Sequence, residues 1–263
     1  MKRFLSQLGW SVGVLVAVLS LWYFATKFFE VPAYILPDPL RVISAGWEKR
    51  DNLMTAVRIS AVEAGGGFAL SVVGGVVAAF VLAQSALIRR CMFPYTILLQ
   101  TVPIVAIAPL ILMWFGSGLK SVLLIVFIIC LFPIIANTTQ GLISVDQNLL
   151  NLFRMSNASR SQVLFKLRFP HAIPNFFVGL RISGGLSVIG AFTGEMFASS
   201  NAVGEGGLGY SIIYANSQLQ TDYLFALVIA CAVLGSCFFF TVVFFEWFFL
   251  HNWHASAMKP DAE

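Results

Sequence analysis

Charge is scarce in this chain. Only 11% of its 263 residues are Asp, Glu, Lys or Arg, where a soluble domain carries about 25%. Hydrophobic residues make up 59%, and the mean hydropathy is +0.86. This composition excludes an ordinary soluble globule and points to a polytopic membrane protein, so the length divides by span and loop. Cysteine is scarce too. Cys91, Cys130, Cys231 and Cys237 fall in apolar runs and form no CxxC pair, which argues against a disulfide framework and for small buried hydrophobes. Several catalytic signatures are missing. There is no GxxxxGK[ST], so the chain does not itself cradle ATP phosphates. HExxH and GxSxG are absent as well, which weighs against a membrane hydrolase. The stretch GEGGLG (Gly204–Gly209) fits GxGxxG but follows no strand, and reads as a turn re-entering the membrane surface. His251 and His254 form an HxxH pair without further ligands nearby. They read as interfacial histidines beside Trp253, and no metal site is expected.

The net charge of +4 does not indicate nucleic acid, because most cations sit in short loops beside apolar stretches, where they orient spans. Six stretches supply the ~20 apolar residues a membrane helix needs: Phe4–Thr26, Ala64–Ile88, Cys91–Leu119, Ser121–Val145, Ala172–Ser200 and Tyr223–Phe245. The first is too long for a signal-peptide core and lacks an A-x-A site, so it reads as a retained span. With the N-terminus inside, inner segments hold nine Lys and Arg and outer segments five besides Lys27 at the edge of the first span, and the outer loop Asn201–Asp222 holds none. That bias places both termini in the cytoplasm. The expected fold is all-α and polytopic, with about six transmembrane helices. After the first span, VPAYILPDP (Val31–Pro39) carries three prolines and predicts an extended segment, with a short helix near Val42–Ile59 leading into the second span.

Small residues recur every four positions in two spans: Gly67, Ser71, Gly75, Ala79 and Ala83, then Gly179, Ser183, Ser187 and Ala191. Such stripes let helix backbones approach closely. They fit either plain packing or helices that slide during transport. The third stretch holds Pro94, Pro103 and Pro109. It is either a kinked span or a broken helix lining a wet path. Arg181 and Glu195 lie within a span, 14 residues apart. A rise of about 1.5 Å per residue separates them by about 21 Å, so they do not pair with each other. Each is left either snorkelling or paired elsewhere, or taking part in gating or solute contact.

The loop between the fourth and fifth spans carries NLFRMSNASRSQVLFKLRFPHAIP (Asn151–Pro174). Ser144-Val-Asp-Gln147 and Ser159-Arg-Ser-Gln162 both fit the S-x-x-Q capping box. They predict helices over Asp146–Met155 and Arg160–Phe169, the second stopped by Pro170. Leu149, Leu150 and Phe153 would share one face, and Val163, Leu164 and Leu167 another. With Arg154, Arg160, Lys166 and Arg168, this basic helix–turn–helix suits anionic lipid or a cytoplasmic partner.

The segment resembles the cytoplasmic loop of binding-protein-dependent ABC importer permeases. Asn151, Leu152 and Phe153 stand where that family has E-A-A, and Asn157 where it has Gly. ASR (Ala158–Arg160), FP (Phe169–Pro170) and AIP (Ala172–Pro174) match, as do PIVAIAPLILMWFGSG (Pro103–Gly118), FPIIANTTQGL (Phe132–Leu142), GLRI (Gly179–Ile182), GE (Gly194–Glu195) and GGLGY (Gly206–Tyr210). The likeness spans Thr55–Leu250 and is greatest to the nitrate/sulfonate/taurine branch, leaning toward members for thiamine-pyrimidine precursors and riboflavin. Asn157 replaces the glycine at small cost, since Asn tolerates positive φ.

The resemblance implies a division into an N-terminal helix and outer loop (1–54), a permease domain (55–250, coupling loop 144–171) and a cytoplasmic tail (251–263). It implies a bacterial inner-membrane protein working as a pair of permease chains, here a homodimer. Two separate ATPase subunits would bind ATP and Mg, and an external binding protein would deliver solute. This chain would bind no cofactor. By this likeness Asn151, Arg154, Asn157, Ala158, Ser159, Arg160 and Phe165 meet the ATPase. The prolines of the third span and the small-residue stripe with Glu195 in the fifth make Thr101, Pro103, Pro109, Ser187, Thr193 and Glu195 the expected lining of the solute path. A stand-alone secondary carrier or channel is the alternative. It would favour inverted repeats and midplane carboxylates, and neither is evident. A membrane enzyme would need a clustered catalytic set, which is absent.

Overall fold

The computed structural model describes residues 2–198 and 206–251, and every regular element among them is helical. In chain order these are α1 (Lys2–Phe28), α2 (Pro39–Glu48), α3 (Arg50–Gln84), α4 (Ala86–Gln100), α5 (Ile104–Phe115), α6 (Leu119–Ile143), α7 (Gln147–Met155), α8 (Arg160–Val163), a π turn (Leu164–Arg168), α9 (Phe169–Phe197), α10 (Leu208–Ser217) and α11 (Thr221–Leu250). Four described helical runs are long and apolar enough to cross a membrane: α3, α6, Arg160–Phe197 and α11. The bent pair α4–α5 makes a fifth if counted as one span. The first expected span lies on α1, whose apolar described part is Gly13–Phe28. Six expected crossings thus become four or five among the described residues.

The third expected span is broken. Its two halves, α4 and α5, meet at 97° across Thr101–Pro103. Pro103 has no N–H to continue the ladder, and it holds the residue before it away from the helical region. The second span starts earlier than hydropathy predicts, because α3 begins at Arg50. Its 35 residues extend about 52 Å, more than the ~30 Å hydrocarbon layer. The charged first turns therefore belong to the same helix as the apolar part. Val31–Pro39 is not uniformly extended either. The Ile35 and Leu36 N–H groups both donate to Pro32 O, closing a turn before Asp38 caps α2.

The core forms around α6, which packs against α3 on one side and α9 on the other. The small-residue stripes explain how. A side chain at Gly67 would overlap Val126, and one at Gly179 would meet Pro133 O at 3.0 Å. Ser71 Oγ donates to Phe127 O at 2.9 Å. Ser183 Oγ donates to Cys130 O at 2.8 Å, and Cys130 Sγ donates back to Ser183 O at 3.3 Å. In a spanning bundle, close packing and such bonds replace the hydrophobic drive that lipid removes. Arg181 finds its partner on α11, with Nε 3.1 Å from Glu246 Oε2. Phe240, Phe244, Phe245 and Phe248 face outward on α11, as suits a lipid-facing side.

Helix direction sorts the loops into two ends. One gathers the C-termini of α3, α6 and α11 with the loop 144–168. The other gathers the start of α6, the end of α9 and α10.

Candidate functional site

The loop 144–168 is built from local chemistry. Asp146, not Ser144, caps α7: its Oδ1 accepts from Asn148 N–H at 2.6 Å. Ser144 Oγ instead donates to Gly141 O at 3.2 Å, a bond back onto the last turn of α6. Two residues could cap, and the one nearer the helix wins. At the other end of α7, Ala158 N–H donates to Phe153 O and Asn157 N–H to Arg154 O, both at 3.0 Å. These two bonds are the Schellman pair, which needs a left-handed residue between them. Asn157 supplies it with φ 51°, as its place in the sequence predicts.

The second capping box forms as expected. Ser159 Oγ accepts from Gln162 N–H at 3.3 Å, and Ser159 N–H donates to Gln162 Oε1 at 2.8 Å. Pro170 does not stop the following helix. The ladder widens into the π turn, where Phe169 N–H reaches Leu164 O five residues back. Pro170 then sits at the first turn of α9, where its missing N–H costs little. The second loop helix, α8, therefore connects to the fifth span without a break, and α7 joins it through the turn at Asn157.

Leu150 and Leu164 anchor the loop in the bundle. Phe153 is only half-buried, and Leu149 is exposed, so the expected apolar face of α7 narrows to Leu150 and Phe153. Asn151, Arg154, Ser159, Arg160 and Phe165 are exposed, Asn157 also, and Ala158 is half-buried. All seven expected contact residues thus lie on one continuous segment at one end of the bundle. Arg154, Arg160 and Arg168 line a cavity of about 290 Å³ there. Arg168 Nη1 donates to Ala83 O at 3.2 Å, joining the loop to the C-terminal end of α3.

The expected path residues separate into two groups. Thr101 and Pro103 line a cavity of about 390 Å³ at the α4–α5 break, closed by Phe132 of α6 and by Ile182 and Leu186 of α9. Pro109 lies exposed on α5. Ser187, Thr193 and Glu195 are buried within the bundle. Ser187 Oγ donates to Gly184 O and Thr193 Oγ1 to Ile189 O, each at 2.8 Å.

Glu195 holds the far end of the molecule together. Its Oε1 accepts from Ser60 Oγ at 2.5 Å, and its Oε2 accepts from Gly209 N–H at 2.6 Å. Ser60 Oγ in turn accepts from Leu208 N–H at 2.8 Å. The carboxylate and hydroxyl thereby satisfy the first donors of α10, a favourable place for an anion. Any side chain at Gly207 would run into the Glu195 carboxyl, which explains part of the glycine run. Glu63 on α3 lines the same small cavity as Glu195. Glu63 escaped the sequence reading because it sits one residue before the expected second span and 132 residues from Glu195. Of GEGGLG, Gly204 and Glu205 lie outside the described residues, as does His254. The His251 ring stacks on Trp247 with centroids 5.0 Å apart, while Trp253 lies outside the described residues. Among the described residues no group of three or more His, Cys, Asp or Glu could hold a metal.

The family described as binding-protein-dependent transport system inner membrane component matches residues 71–248. A probable ABC transporter permease protein of Haemophilus influenzae is 33% identical over 231 residues, covering 88% of this chain and 91% of that protein. A formylaminopyrimidine transport permease protein of Halalkalibacterium halodurans is 28% identical, covering 83% and 85%. A putative aliphatic sulfonates transport permease protein of Bacillus subtilis is 30% identical, covering 86% and 82%. The chain therefore belongs to the binding-protein-dependent transport system inner membrane components, the multi-pass permeases of ABC transporters.

Proposed function

We propose that this chain is the pore-forming half of an ATP-driven importer, paired with a second copy of itself and moving a small organic solute into the cytoplasm. The observation that carries this reading is the loop 144–168. It is a capped helix pair with exposed Arg154, Arg160, Met155 and Phe165, whose second helix is continuous through the π turn with the spanning helix α9. Such a lever suits force transfer from a cytoplasmic ATPase that binds ATP and Mg. Motion of the loop would tilt α9 against α6, and the break at Thr101–Pro103 would flex as the bundle alternates between outward and inward openings. Both termini would then be cytoplasmic. An external binding protein would meet the opposite end, near α10. The names of the relatives favour an aminopyrimidine-like or sulfonate-like solute.

The test is uptake into proteoliposomes holding this chain with its ATPase and binding protein. Solute should accumulate only with ATP and Mg inside the compartment that faces the loop. Accumulation driven by an ion gradient without the ATPase would overturn the reading in favour of a secondary carrier.

A further inference from the structure

The cavity of about 290 Å³ between the basic loop and the end of α3 carries three arginines on its wall, Arg154, Arg160 and Arg168, with Gln84 beside them and Leu150 and Leu164 as apolar lining. No Asp or Glu lines it. Among the described residues none of the three arginines makes an ion pair. Arg154 Nη1 donates to Asn151 Oδ1 at 3.4 Å, and Arg168 Nη1 to Ala83 O at 3.2 Å. Both acceptors are neutral and leave the charges uncompensated. The uncharged run Ala64–Ala83 of α3 extends about 30 Å, the thickness of the hydrocarbon layer. Gln84 and the cavity it lines therefore sit at headgroup level. An aromatic face adjoins the arginines. The Phe80 ring of α3 lies 5.8 Å from that of Phe169 and 6.2 Å from that of Phe165, and Phe165 and Phe169 are exposed.

We propose that this cavity seats the phosphate of one anionic phospholipid, whose acyl chains run along Phe80 and Phe169. Guanidinium groups gathered around one space repel each other, and phosphate is an anion that their planar donors fit in bidentate pairs. A basic pocket between spans at headgroup level suits such a head. The aromatic face decides between a lipid and an acidic side chain of a partner protein. A carboxylate would use the arginines alone, whereas a phospholipid uses the arginines and the exposed phenylalanines together. Arg154 and Arg160 are shared with the proposed ATPase contact. Arg168, held against α3 by Ala83 O, is not. The lipid thus joins the loop to the end of α3 from the membrane side. The inference needs neither ATPase nor solute, so it stands or falls separately from the proposed import.

The experiment uses the purified full-length chain, stripped of lipid in a neutral detergent, with native mass spectrometry as the readout. Dioleoylphosphatidylglycerol and dioleoylphosphatidylcholine are added in turn. They share acyl chains and a phosphate and differ in the net charge of the head. The wild type should hold one phosphatidylglycerol per chain about ten-fold or more tighter than phosphatidylcholine. Arg168→Gln should cut that preference about five-fold. The double variant Arg154→Gln, Arg160→Gln changes two exposed side chains, so it keeps the fold and should cut the preference at least as far. The control Arg58→Gln, at an exposed arginine near the opposite end of α3, should keep it. Equal binding of the two lipids by the wild type, or a preference that survives the double variant, would overturn the proposal. Glycerol 1-phosphate at the concentration of the lipid should not displace it. Displacement would show a site for soluble phosphate and overturn the lipid assignment.

Discussion

At the residue scale the loop depends on Asn157. Its φ of 51° is tolerated by Asn and Gly and costs other residues about 1–2 kcal/mol. Asn157→Gly should leave loop stability within a few tenths of a kcal/mol, and Asn157→Val should lower it by about 1 kcal/mol or more. Limited proteolysis of the loop in the purified chain would rank the three proteins. If Asn157→Val cut no faster than the wild type, the Schellman account of the turn would be wrong. Asp38 makes a second residue-scale prediction. Its Oδ1 accepts from Arg41 N–H at 3.0 Å, and that backbone bond, with Lys27 and Arg41 alongside, holds its carboxyl below the ordinary value of 3.8. A lowered folded-state pKa stabilises above the ordinary value, and the gain is lost as pH falls through the lowered one. Asp38→Asn keeps a capping oxygen, so it should destabilise slightly at neutral pH. The difference from wild type should vanish once pH drops below the lowered value. A melting difference that grows toward acid would contradict the sign.

At the scale of elements, α6 depends on its neighbours having no side chains at the crossings. Gly67→Leu and Gly179→Leu should each destabilise the bundle by about 1–3 kcal/mol or prevent its assembly, since the added atoms meet Val126 in one case and Pro133 O in the other. Gly185→Leu is the control, for a Cβ there meets nothing within 4 Å. Detergent melting curves that ranked all three alike would show that the stripes are not packing surfaces. Much of this architecture was legible from sequence, because hydropathy, small-residue spacing and capping boxes are local signals. Asn157 and Ser159 were readable for that reason. Three features were not. Ser144 and Asp146 compete for one cap, and the sequence does not rank them. Pro170 marks a stop only if the ladder cannot widen, and the π turn that lets it widen leaves no motif. Glu63 became visible only when the fold brought α3 beside α9, since hydropathy starts the second span at the next residue.

At the scale of the whole molecule, the two ends are chemically unlike. One presents Arg154, Arg160 and Arg168 around an open cavity. The other ties Glu195, Ser60 and the start of α10 into a buried knot. A helix continuous with the basic loop runs between them. The asymmetry suits a machine driven from one end and loaded from the other. The basic loop also differs from the family pattern at Asn151, where the usual glutamate is missing, so its charge toward a partner is almost wholly positive. On the proposed function, an ATPase docking there should present an acidic surface, and docking should weaken as salt screens the contact.

The most direct test is co-purification of the ATPase with the tagged chain, wild type against the double variant Arg154→Glu, Arg160→Glu, with ATP hydrolysis measured in the same samples. Both arginines are exposed, so the variant should fold and insert normally. The account predicts that the variant loses about ten-fold or more of the bound ATPase, as expected for reversing two charges at a complementary interface. An undiminished complex that still couples ATP hydrolysis to uptake would contradict it.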